Sequence, residues 1–106
     1  MRPVYVTQTG TGTSQVIVTD YIQTPFNASV EVTVSGVYTY TVQHTSDDVF
    51  SPTFSAATAT WFNHDNTSLV NVSVSAADNF NFPVRGVRIS GTGTGSATLT
   101  YLQGIG

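Results

Sequence analysis

The chain has 106 residues, 40% of them hydrophobic and only 8% charged, with a formal net charge of −3, no cysteine and no lysine. That length supports one domain with a modest core. The absence of cysteine excludes a disulfide framework or a thiolate metal site, and three arginines as the only Lys or Arg cations argue against a phosphate-binding surface. Ordinary domains carry about 25% charged residues. Here the polar remainder is mostly Thr, Ser and Asn, and Thr with Val suits a pleated sheet.

No apolar run approaches the roughly 20 residues that span a bilayer. Met1-Arg2-Pro3-Val4-Tyr5 has no apolar stretch behind its single charge, so it does not read as a signal peptide. The chain is therefore expected to be made and first used in a cytoplasm, with no membrane and no nucleic acid as partner.

In chain order, the first strand is predicted over 3–8, with Val4 and Val6 on one face. Gly10-Thr11-Gly12-Thr13 reads as a turn. The second strand is predicted over 15–21, where the run Val16-Ile17-Val18 suggests burial on both sides. Pro25 ends it by removing a ladder donor.

The segment 29–44 reads as a β-hairpin at the centre of the fold. Val30, Val32 and Val34 share one face, and Tyr38, Tyr40 and Val42 resume the alternation. A three-residue loop, Ser35-Gly36-Val37, keeps both sets inward by pairing Val34 with Tyr38, Val32 with Tyr40 and Val30 with Val42. Thr45 to Ala57 is the longest irregular segment, in which Ser46 or Asp47 would cap one helical turn.

The fifth strand is predicted over 58–63 and the sixth over 69–75 with Val70, Val72 and Val74 inward. A turn follows at Ala76-Ala77-Asp78-Asn79. The seventh strand, 80–90, changes phase: Phe80, Phe82 and Val84 share one parity, Val87 and Ile89 the other. A β-bulge at Arg85-Gly86 would return both sets to the core and bring Arg85 and Arg88 together outside. Residues 91–95 read as a turn or loop, and the last strand is 96–103, with Ala97, Leu99 and Tyr101 inward. The reading is one all-β domain over 1–106, an antiparallel β-sandwich of about eight strands, jelly-roll-like.

Thr-Gly-Thr-Gly occurs at 9–12, and in shifted phase Thr92-Gly93-Thr94-Gly95 closes the penultimate turn. These read as two turns of similar need, not as an internal repeat.

Site chemistry is sparse. Asp47-Asp48 with His44, or His64-Asp65, would be the place for a metal, but no ligand spacing matches a known motif, and solvated loop acids are the expectation. There is no Gly-x-Ser-x-Gly elbow, and the single glutamate, Glu31, sits mid-strand on the outer face, so no enzyme, cofactor or metal is predicted. Trp61 is read as core. Phe62, Tyr5 and Tyr21 are the aromatic contact candidates, and Arg85 and Arg88 are the charged ones, because arginine is favoured at interfaces.

The runs Asp20 to Asn27, Thr39 to Val49, Thr60 to His64, Phe82 to Arg88 and Gly95 to Gly104 resemble, in this order and over most of the chain, small uncharacterised proteins of tailed bacteriophages. The resemblance implies a virion protein, a capsid decoration (cement) protein with a jelly-roll or sandwich fold. Its partner would be the major capsid protein or another virion protein. Separately, so few charges on a single short domain predict self-association, as a closed dimer or trimer. The alternative expectation is a glycan- or host-surface-binding module on the phage head or tail, built on Tyr5, Tyr21 and Phe62 with the Asn/Asp-rich loops at 63–66 and 78–81.

Overall fold

The computed structural model describes residues 4–19, 28–47, 49, 51–64, 66–80 and 84–103. Two antiparallel sheets face each other. One holds β1 (Val4–Thr9), β9 (Ser96–Gln103), β4 (Ala28–Ser35) and β7 (Ala76–Phe80), in the order β1-β9-β4-β7. The other runs β2-β8-β5-β6, with β2 (Gly12–Thr13), β8 (Gly86–Gly93), β5 (Tyr38–Thr45) and β6 (Phe62–Asn63), and β3 (Ile17–Val18) also pairs with β8. Since β2 and β3 share one partner, they act as a single interrupted strand, and eight strand positions result.

The pairing is nested: β1 with β9, β2 and β3 with β8, β4 with β7, β5 with β6. Cross-pairs β4 with β9 and β5 with β8 complete the sheets. A long antiparallel ribbon wrapped in this way is a jelly roll. The protein is thus an all-β sandwich, as composition and alternation predict.

The expected hairpin is not formed. Val34 lies opposite Ala97 and Tyr38 opposite Gly93, so Ser35-Gly36-Val37 carries the chain from one sheet to the other. Val30, Val32, Tyr38, Tyr40 and Val42 are nonetheless buried, and Val34 packs against them. They meet face to face across the sandwich instead of side by side along a ladder.

The bulge at Arg85-Gly86 is likewise replaced by a change of sheet. Phe80 ends β7 in one sheet, and β8 begins at Gly86 in the other. Val84, Val87, Ile89 and Phe80 are all buried, as expected, although Phe82 lies outside the described residues. Gly86 has no positive φ; a Cβ there would meet Val16 Cγ1 at 2.9 Å and Thr45 Cγ2 at 3.2 Å, so close packing excludes a side chain.

Other differences are local. Within Val16-Ile17-Val18 only Ile17 is buried, while Val18 is exposed, because β3 is an edge with one covered face. The fifth strand shortens to Phe62–Asn63. In place of the sixth, Asn66 caps a 3-10 turn at Thr67–Leu69 by accepting from the Ser68 N–H. Leu69 is buried there, Val72 only bridges Tyr40, and Val74 is exposed. The turn expected at 76–79 is strand β7, and most of the loop expected at 91–95 belongs to β8. The helical turn expected at Ser46 or Asp47 would include residues 48 and 50, which lie outside the described residues; the Asp47 carboxylate accepts the Thr60 N–H at 2.8 Å and ties down the loop between β5 and β6.

The two Thr-Gly-Thr-Gly segments lie side by side. Thr9 pairs with Ser96, Gly12 with Gly91, and the Gly10 N–H donates to the Gly95 carbonyl at 3.2 Å. Both strands of the ribbon cross between the sheets here. Gly10 takes φ 71° and Gly93 φ 131°, conformations that L side chains avoid.

The core hydroxyls are satisfied at its margins. Tyr38 Oη donates to the Gly10 carbonyl at 2.6 Å, and Tyr40 Oη to that of Val74 at 2.8 Å. Burial pushes both phenols above the ordinary tyrosine value, so they remain neutral donors.

Candidate interaction surfaces

The outer faces of the two sheets differ. On the β2-β8-β5-β6 side, the segment between β5 and β6 folds back onto the sheet. Arg88 Nε donates to Gln43 Oε1 at 2.9 Å and Arg88 Nη1 to the Ala56 carbonyl at 3.3 Å. Its guanidinium carbon lies 4.0 Å from the centroid of the Trp61 ring, whose Nε1–H also donates to Ala56, at 2.9 Å. Thr45 Oγ1 donates to the Thr60 carbonyl at 2.7 Å. Trp61 is therefore half-buried under this loop and not part of the sandwich core.

Arg88 is thus committed within the fold, and Arg85 precedes β8 instead of sharing a bulge with it. The Arg85 N–H donates to the Thr45 carbonyl at 2.8 Å, and its own carbonyl accepts from Thr19 at 3.1 Å. Its backbone anchors the crossing between sheets, and its side chain is half-exposed.

On the β1-β9-β4-β7 side the outward residues form level rows. Tyr5, Thr100, Glu31 and Ala77 stand abreast, and Thr7, Thr98 and Thr33 form the next row. Thr7 and Thr98 join their hydroxyls at 2.9 Å. Leu102, diagonal to Tyr5, is exposed beside it, and Tyr5 is 64% exposed. Among the described residues the face carries one charge, Glu31, and no hydrogen-bonded loop is laid across it.

Phe62 is also exposed, at 57%. It stacks on His44 with centroids 6.1 Å apart. Tyr5 lies on β1 and Phe62 on β6, at opposite edges of different sheets, so they form no shared aromatic platform. Tyr21, Asp48 and Asp65 lie outside the described residues.

His64 is buried between the sheets. Its Nδ1 accepts the Asn66 N–H at 3.0 Å, which makes Nε2 the donor to the Asn79 carbonyl, also at 3.0 Å. The ring packs 4.7 Å from that of Phe80. Asn66 Nδ2 and the Asn79 N–H donate to the Asp78 carboxylate; with His64 nearby they hold Asp78 below the usual aspartate range. This cluster braces β7 against the loop after β6. Sequence reasoning missed it because the partners come from separate segments.

Two depressions are lined by described residues on the loop side of the molecule and beside Asn71. One, of about 270 Å³, lies in the β5–β6 loop and includes Asp47, Phe54 and Thr58. The other, of about 150 Å³, is lined by Thr39, Tyr40, Thr41, Asn71, Ser90, Gly91 and Thr92. Among the described residues the first is lined by one acid, Asp47, and the second by no carboxylate or cation. Among the described residues no three His, Cys, Asp or Glu side chains gather as metal ligands.

The fold and these surfaces define an all-β sandwich in which, among the described residues, one sheet face is partly covered by a loop and the other is not. No protein-family model, no curated protein and no solved structure matches the chain.

Proposed function

We propose that the chain is a structural protein of a tailed-bacteriophage particle, a capsid decoration protein that docks on the head shell through the outer face of the β1-β9-β4-β7 sheet and stabilises it. The observation that carries this reading is the difference between the two faces: one is covered at its Arg88 end by its own loop, and the other, among the described residues, is level, nearly uncharged and without a bonded loop across it. Burying such a face requires little desolvation of charge, which lowers the cost of docking. Its partner is the major capsid protein or another virion protein, and the reading assigns the chain no reaction, cofactor or metal.

Quantitative electrophoresis of purified virions tests it. The expected result is a copy number of the same order as the capsid subunit; absence from the particle overturns the proposal. Thr33→Lys, on β4 in the middle of the face, should fold normally and lose particle occupancy, because it buries a new charge in the contact.

A glycan-binding module is the second reading. Its support is the hydroxyl- and amide-lined depression around Asn71. A glycan array with the multivalent protein tests it, and absence of binding removes it.

A further inference from the structure

A sheet edge exposes a row of unpaired N–H and C=O groups, and proteins blunt such edges by shortness, charge, proline or bulges. Among the described residues three of the four edges are blunted. Edge β6 has two residues, and the β2 and β3 edge is broken into two pairs around Ser14, whose hydroxyl accepts the Ile89 N–H at 2.9 Å. Edge β7 carries an aspartate at an inward-parity position, Asp78, opposite Val30. Edge β1, Val-Tyr-Val-Thr-Gln-Thr, has six regular residues, no charge, no proline and no glycine. Among the described residues it has β9 on one side and no strand on the other.

We propose that β1 is a homodimerisation edge: two copies of this chain pair β1 to β1 antiparallel, making one continuous eight-stranded sheet. This goes beyond the docking reading and does not depend on it.

The hydrogen-bond phase of β1 defines the register. Gly10, next after Thr9, turns its N–H toward Gly95 at the end of β9. Antiparallel ladders alternate, so Val4, Val6 and Gln8 face β9, whereas Tyr5, Thr7 and Thr9 direct N–H and C=O to the open side. Among the described residues their outward groups carry only a 3.3 Å contact from Gln8 Nε2 to the Thr9 carbonyl. A two-fold axis normal to the sheet keeps outer side chains outer only if paired residues share parity. Thr7 against the partner's Thr7, with Tyr5 against the partner's Thr9, uses all three outward residues of each strand.

The occupant follows from charge as well as from shape. Neither β1 nor β9 contains an ionisable Asp, Glu, Lys or Arg. The nearest acid in the sheet is Glu31 on β4, so the two copies of Glu31 stand five strand intervals apart, about 24 Å at about 4.8 Å per interval. That exceeds the Debye length of about 8 Å, and their repulsion is screened. The same operation on β7 would bring two Asp78 carboxylates to the seam.

Sedimentation and backbone hydrogen exchange of the full chain test the proposal. The expected result is a monomer–dimer equilibrium, with the amides of Tyr5, Thr7 and Thr9 gaining protection as concentration rises while those of Val4 and Val6 are protected throughout. Thr7→Pro removes an outward N–H and Thr7→Lys adds an edge charge; each should give a monomer with cooperative unfolding retained. Thr7→Lys keeps the test valid if the proline variant fails to fold. A monomer at all concentrations, or a dimer that persists in Thr7→Lys, overturns the proposal.

Discussion

The Arg88 guanidinium lies 4.0 Å from the centroid of the Trp61 ring, and both side chains donate to the same carbonyl, that of Ala56. The pair clamps the β5–β6 loop to the outer face of β8. Arg88→Ala removes a cation–π contact of about 0.5–1 kcal/mol and hydrogen bonds of about 1 kcal/mol each. The expected loss is about 1–3 kcal/mol in denaturant unfolding. Trp61 is the only tryptophan, so its fluorescence should shift to the red as the loop loosens. An unchanged spectrum would show that the loop is held without Arg88.

Two glycines are fixed by neighbours and not by backbone conformation. A Cβ at Gly91 would fall on the Tyr38 ring and hydroxyl, and one at Gly86 would press on Val16, Thr45 and Val49. Gly86→Val should therefore destabilise by about 1–3 kcal/mol through overpacking. Gly91→Ala should do at least as much, because displacing Tyr38 also breaks its bond to the Gly10 carbonyl. Thermal melts check both, and a wild-type Tm for Gly91→Ala would contradict the packing of Tyr38.

Asp78 gives a pH dependence of defined sign. Its carboxyl is held below the usual range chiefly by the Asn66 side chain, then by the Asn79 N–H and the nearby His64. A depressed folded-state value means stability that is fully present above the unfolded aspartate range, about pH 4, and is lost as pH falls through the folded value. The effect is small because solvent screens the group. Asp78→Asn should flatten the acid limb of stability against pH; an unaltered limb would place the acid sensitivity elsewhere.

Asn71 is the one non-glycine with positive φ among the described residues, at 52°. Asn tolerates this conformation and β-branched residues do not. Asn71→Gly should leave the melting temperature nearly unchanged, and Asn71→Val should lower stability by about 1–2 kcal/mol. Its backbone N–H bond to Thr41 Oγ1, 2.9 Å, is the contact that hydrogen exchange would show released in the valine variant.

Which side chains turn inward was legible from the sequence along the regular strands, since alternation is a local property set by the pleat. Val30, Val32, Tyr38, Tyr40, Val42, Leu99 and Tyr101 are buried as their spacing predicts. It failed at Val70, Val72 and Val74, where an alternating run is not a strand: a capped 3-10 turn leads into it and Asn71 breaks its extended backbone. Only the tertiary structure decided which strands pair. Two segments joined by Ser35-Gly36-Val37 bury the same residues whether they lie edge to edge as a hairpin or face to face across a core, so the pattern is silent between them. The phase change between Phe80 and Val87 is ambiguous in the same way, because a bulge and a change of sheet both invert parity. The surfaces follow suit: exposed Tyr5 and Phe62 were readable one at a time, but their separation onto opposite edges, the engagement of Arg88 with Trp61, and the unblunted edge of β1 depend on non-local pairings that no local period encodes.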